Sequence, residues 1–314
     1  MCGGSFAQST GATFGTIISL GGTPSDIILD ESRARLYLVS KSKNDVEVVD
    51  CQNNQVIRSI PVGNTPLAAA MSVDNLHLYV TNNADSSLSV INLNSLSVEQ
   101  TLSLSAAPEG VAVGADGRVL ISTEGSGTSD SINSLLLYDS SLASGQQVTA
   151  ISFPPPATTP TGLSVSTTTS ATTFTGKLIR TPDGAFIIGM SNVNSNAFTV
   201  LFVYETASAT VLRSRKVTGQ STVLSIAPDG SHFMAGYTLY DTATLAALAQ
   251  QNVSNIPFPL SSTGTATFNT RQNVGGSVFS PDGETLFSAF NVAPFSTPAT
   301  RVQATALRRP RGGV

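Results

Sequence analysis

The stretch HLYVTNN, His77 to Asn83, repeats the pattern of RLYLVSK, Arg35 to Lys41, at a distance of 42 residues. The same offset joins Pro24, Pro66 and Pro108, as well as Leu36, Leu78 and Leu120, while Tyr37 and Tyr79 are followed by Ile121. Val46, Val48 and Asp50 map onto Leu88, Val90 and Asn92. An insertion of about five residues around GSGTSD, Gly125 to Asp130, then carries the series on to Leu135, Leu137 and Asp139. Agreement in several independent registers makes the chain an array, and a period of about 40 to 45 residues with four short β-runs per unit is the pattern of a propeller blade.

Each unit reads as four strands, A to D, from inner to outer. Strand A follows the repeat proline, as in GVAVG, Gly110 to Gly114; strand B is the LYVTN run; strand C is LSVINL, Leu88 to Leu93; strand D is a run such as SVEQTLSL. Three later units announce their A–B turns as TPDG (Thr181 to Gly184), APDG (Ala227 to Gly230) and SPDG (Ser280 to Gly283). Proline presets φ at the second turn position, and glycine accepts the left-handed conformation that follows. Strand B is apolar at consecutive positions, as expected of sheets buried on both faces. The fold class is therefore all-β, a propeller of four-stranded blades.

Units begin near residues 23, 65, 107, 176, 221 and 274, which gives about six blades. TIISL, Thr16 to Leu20, resembles an outer strand without a blade of its own, and after Phe290 the pattern dissolves into PFSTPATRVQATALRRPRGGV. The expectation is an incomplete seven-bladed ring whose unpaired edge would be an aggregation liability. The alternative is a six-bladed ring with residues 300 to 308 as the third strand of its last blade. The corresponding division is an N-terminal tail over 1–15, a propeller over 16–300 with a Pro/Thr/Ser-rich insertion at 154–175, and a basic tail over 301–314. Such an insertion reads either as a binding loop on a rigid scaffold or as a tether without a partner.

Only 11% of residues are charged, and the net charge is −4. Four arginines, Arg301, Arg308, Arg309 and Arg311, lie in the last fourteen residues, which leaves twelve basic residues against twenty acidic ones in the body. An acidic body argues against nucleic acid as a partner, and no run of about 18 apolar residues provides a membrane span. The cysteines, Cys2 and Cys51, are too few for a disulfide framework. Ser5 and Ala7 place small residues at −3 and −1 before Gln8, the spacing of a signal-peptidase site, although the apolar segment that should precede it is missing. The opening residues are thus either the remnant of a longer secretory signal or a short tail.

The run Tyr79-Val80-Thr81-Asn82 spells YVTN, and the units resemble the YVTN family of β-propeller repeats, strongly in the first two units and loosely after residue 150. With no tryptophan the chain departs from the Trp-Asp signature of WD40 repeats. The resemblance implies a ring of seven blades and a secreted, periplasmic or cell-surface protein of bacteria or archaea.

The search for chemistry returns little. Both histidines, His77 and His232, fall three residues after a turn aspartate, Asp74 and Asp229, so each belongs at the start of a strand B. That is the face opposite the outer-to-inner connections, which disfavours a shared triad. There is no G-x-S-x-G, H-E-x-x-H, complete G-x-G-x-x-G, Walker A or C-x-x-C-H motif. The remaining candidates are oxygen ligands at the channel mouth: Asp26 and Glu109 at the start of strand A, and Asn82, Asn83, Asp85 and Glu124 at the end of strand B. Converging carboxylates and amides there could hold Ca²⁺ or a ligand, whereas polar groups at strand ends more often just turn the chain.

Two functions are consistent with this pattern. The first is a non-enzymatic, monomeric binding scaffold with no cofactor, whose loop-rich face takes a protein or glycan. The second, implied by the resemblance, is a lactonase-like hydrolase that uses carboxylates or a divalent metal at the central channel.

Overall fold

The computed structural model describes residues 18, 20–124, 135–151, 177–193, 198–217, 223–235, 238–250, 274–291 and 302–308. The described elements are strands, grouped into six antiparallel sheets. The first comprises β1 (Pro24–Asp30), β2 (Arg35–Ser40), β3 (Asp45–Asp50) and β4 (Gln55–Pro61); the second β5 (Pro66–Met71), β6 (His77–Asn82), β7 (Ser87–Asn92) and β8 (Ser97–Ser103). The third holds β9 (Pro108–Val113), β10 (Val119–Thr123), β11 (Leu135–Tyr138) and β12 (Val148–Ile151); the fourth β13 (Lys177–Arg180), β14 (Phe186–Val193), β15 (Phe198–Glu205) and β16 (Thr210–Val217). The fifth has β17 (Leu224–Ile226), β18 (His232–Ala235), β19 (Thr238–Asp241) and β20 (Ala247–Gln250), and the sixth has β21 (Val274–Phe279), β22 (Thr285–Asn291) and β23 (Val302–Arg308).

Strand order within each sheet follows the chain, and the innermost strands adjoin in sequence, β1 to β5, β5 to β9, β9 to β13, β13 to β17 and β17 to β21. Val302–Arg308, at the head of the basic segment, pairs with β22 over its whole length, the third-strand position that the six-bladed alternative gave to residues 300 to 308. TIISL, the insertion at 154–175 and GSGTSD lie wholly or largely outside the described residues.

The core is a series of slabs between sheets. Tyr37, Val39 and Val48 of the first sheet meet Leu78, Val80 and Ile91 of the second. On the other side of the second sheet, Tyr79, Leu88 and Val90 meet Val111, Val113 and Ile121 of the third. Leu120, Leu135 and Leu137 then meet Ile187, Phe202 and Tyr204, and Ile188, Leu201 and Val203 meet Phe233, Ala235 and Tyr240. Adjacent residues such as Tyr79 and Val80 therefore enter different slabs, because successive side chains of a strand point to opposite faces. This is the physical meaning of the continuous apolar run in strand B. Between the fifth and sixth sheets, Ser277 donates to Ser225 at 3.0 Å and the Phe279 ring stands edge-on to His232.

Among the described residues, the two ends of the series present exposed apolar side chains. Ile27 and Leu29 on β1 are 59% and 53% exposed, although they share the register of Val111 and Val113, which are buried. Val278 and Phe287 of the sixth sheet are 60% and 45% exposed.

The A–B turns are hydrogen-bonded modules. Ser72 donates its hydroxyl to Asp74 and accepts from the amides of Leu76 and His77; Thr181 with Asp183 and Phe186, and Ser280 with Asp282 and Thr285, repeat the arrangement. Gly184, Gly230 and Gly283 take φ of 71°, 70° and 71°, the left-handed region in which a side chain is costly.

Candidate functional site

Strand B ends and the outer-to-inner connections share one face of the array, and the six candidate oxygen ligands sit there in distinct environments. Asp26, half-buried, accepts the amide of Ala69 in the second sheet at 3.0 Å and that of Ile27. Asn82 is fully buried; its Nδ2 donates to Ser87 and Ser89 at 3.0 and 2.9 Å, and a Cβ placed on Gly63 would fall 2.7 Å from its carboxamide carbon. Glu109 is also buried, 2% exposed. These three residues belong to the internal framework.

Asn83, Asp85 and Glu124 form something different. Asp85 accepts the backbone amide of Asn64 at 2.6 Å and its Nδ2 at 2.8 Å. Asn64 in turn accepts from Asn44 of the first sheet at 3.0 Å, and Asn44 Oδ1 takes the amide of Thr65. Asn83 reaches across to the third sheet, donating to the carbonyl of Pro108 at 3.1 Å and to Glu124 at 3.3 Å. The result is a polar belt across three blades. Its carboxylates and amides are fixed in orientation by each other, and each acceptor oxygen keeps a second lone pair. The hydrogen bonds from Asn64 hold the Asp85 carboxyl below the ordinary carboxylate range, so the belt is anionic at neutral pH.

Asn44 and Asn64 escaped the sequence reading. Asn44 has φ of 56°, a left-handed turn conformation that asparagine tolerates better than most residues. Its position after strand B, 20 residues before Asn64, was the available signal.

Among the described residues no three or more His, Cys, Asp or Glu side chains come together in a metal-holding group. The histidines begin β6 and β18, as their spacing implies. His77 Nε2 lies 3.2 Å from Glu99 Oε2 on its own sheet, and His232 Nδ1 lies 2.6 Å from the Ser231 hydroxyl. They belong to different blades and do not meet the belt.

No family profile matches the chain, and no curated protein sequence matches it. Solved structures do. A chain of hydrazine synthase from Kuenenia stuttgartiensis aligns with a TM-score of 0.61 at 18% identity, covering 88% of this chain and 78% of that one. The β-propeller domain of Cps50 (Swd1) from Myceliophteria thermophila aligns with a TM-score of 0.59 at 10% identity, covering 94% and 86%. Likeness at such identities speaks to fold alone. Together with the sheet series it makes the chain a β-propeller.

Proposed function

We propose that the protein is a non-enzymatic binding scaffold that presents the connection-rich face of a YVTN-type propeller to a protein or glycan partner outside the cytoplasm. The observation that carries this reading is the belt Asn44–Asn64–Asp85 with Asn83–Glu124, whose polar groups are held ready by contacts between three blades. Preorganised acceptors and donors lose little freedom on binding, so a partner's hydroxyl or amide groups gain most of the available energy. The YVTN resemblance supplies the expectation of export. Binding residues fall disproportionately on connections held by a rigid scaffold, and the belt lies on such connections.

The test is a binding screen of the purified chain against a glycan panel and a panel of exported proteins, repeated with Asp85→Ala/Glu124→Ala. A hit that loses about tenfold or more in affinity in the variant, with an unchanged denaturation midpoint, supports the scaffold. Metal-dependent lactone hydrolysis that disappears in Glu109→Gln would replace it with the hydrolase.

A further inference from the structure

The opposite face carries a groove of about 570 Å³ between the fourth and fifth sheets, inside the roughly 300–1,000 Å³ spanned by ligand sites. Phe186, Val203 and Leu212 give it an apolar lining, and Leu212 is 48% exposed. Its charged groups are Asp183, Asp229, Asp241 and Arg213. Hydrogen bonds from Thr181 and Ala185 to Asp183, from Ser231 to Asp229, and from Thr244 to Asp241 hold all three carboxyls below the ordinary range. At neutral pH, three negative charges therefore stand against one positive charge.

Two of those carboxylates have acceptor capacity in hand. Asp183 uses Oδ1 for the Thr181 hydroxyl and the Ala185 amide, and its Oδ2 meets no side-chain donor among the described residues; Asp241 uses Oδ1 for the amide and hydroxyl of Thr244, with the Ala243 amide also acting on its carboxylate. A second, independent feature points the same way. Thr242 lines the groove at 7% exposure, and its buried Oγ1 has no partner among the described residues. Thr206, its counterpart in the preceding sheet, donates instead to the carbonyls of Gly184 and Ala185. A buried hydroxyl without a partner costs about 1–3 kcal/mol, so the wall of the groove at Thr242 is under-satisfied among the described residues.

We propose that this groove docks an extended segment of a partner polypeptide through a lysine or arginine side chain, whose cationic head is taken by Oδ2 of Asp183 and Asp241. An apolar neighbour in the segment covers Leu212 and Phe186. A free amine would satisfy the carboxylates yet leave that apolar surface in water, which is why the observations favour a polypeptide. The site is separate from the polar belt and does not depend on it.

The experiment is calorimetric titration of the whole chain with the capped peptide Ac-Ala-Leu-Lys-Leu-Ala-NH2, the same peptide with norleucine for lysine, and n-butylamine. The expected result is saturable binding of the lysine peptide, at least about tenfold tighter than either control, as befits charge-assisted hydrogen bonds joined to apolar contact. Asp183→Asn/Asp241→Asn removes the charges while keeping an Oδ1 acceptor for each turn, and it should weaken the lysine peptide by about tenfold or more. Leu212→Ser, at an exposed strand position outside the turns, should weaken it by a few-fold. Equal binding of the lysine and norleucine peptides, butylamine matching the peptide, undiminished binding in both variants, or no binding at millimolar peptide would each overturn the proposal.

Discussion

Thr81 donates its hydroxyl to the carbonyl of Glu109 in the next sheet at 3.0 Å, so the threonine of the YVTN run is a pin between blades. The same oxygen accepts the amide of Ala68 at 3.1 Å, at the bulge where the register of β5 slips between Pro66 and Ala68. The first and third sheets carry bulges at the corresponding place. The extra residue breaks the ladder there, and a hydroxyl from strand B satisfies the freed backbone groups. Thr81→Val keeps the shape and removes the hydroxyl's bonds to the Ala68 amide and the Glu109 carbonyl. The expected loss is about 1–3 kcal/mol, read as a lower denaturation midpoint at constant m-value.

Gly184 and Gly230 share a turn conformation but not a neighbourhood. A Cβ on Gly230 would lie 3.6 Å from Cδ of Pro182, an ordinary contact, whereas on Gly184 it would lie 3.0 Å from Cβ and 3.1 Å from the backbone nitrogen of Ala115. Alanine at either position pays about 1–2 kcal/mol for the left-handed backbone. Gly184→Ala must also displace main chain of the third sheet, so its thermal midpoint should fall clearly further than that of Gly230→Ala. Equal shifts would mean that the turns are not seated on one another as described.

These turns mark the boundary of what the sequence made legible. Proline and glycine in TPDG, APDG and SPDG located three blades, because their φ preferences are local properties. The hydroxyl two residues before the aspartate, at Ser72, Thr181 and Ser280, was unread, since its role appears only when the chain folds back to offer the amide of His77, Phe186 or Thr285. At the channel mouth the face was legible from the repeat register. Which residues stay available there was not: Asn82 and Asn83 are neighbours in sequence, yet one is buried between Ser87 and Ser89 while the other reaches across to Glu124. The groove between the fourth and fifth sheets left no mark in the repeat, because it is built from residues of two units.

Acid should loosen the first blade through Asp30. Burial pushes its carboxyl up, but hydrogen bonds from Ser32, Arg33 and Tyr37 outweigh that and leave it below the ordinary value of 3.8. A depressed folded-state pKa contributes stability that is present above the unfolded value and is lost as pH falls through the folded one. Asp30→Asn should therefore cost about 1.5–3 kcal/mol at pH 7, the range for hydrogen bonds to a charged group. The gap between wild type and variant should shrink as pH drops below 3.8. Denaturant melts at a series of pH values test this, and a constant gap down to pH 2 would refute the assignment.

The two ends of the sheet series make the last expectation. Ile27 occupies the register of Val111 but is 59% exposed, whereas Ile188, in the slab between the fourth and fifth sheets, is fully buried. Removal of a side chain that already faces water should change stability by no more than about 0.5 kcal/mol, while truncation in a packed slab costs about 2–5 kcal/mol through lost contacts and the cavity left behind. Ile27→Ala should thus melt with wild type, and Ile188→Ala should melt far below it. The apolar surface of Ile27 and Leu29, with Val278 and Phe287 at the other end, acts instead on association, because contiguous exposed apolar patches seek cover. Ile27→Lys/Leu29→Lys should suppress concentration-dependent light scattering without lowering the melting midpoint; a large drop in that midpoint would show that β1 is covered in solution after all.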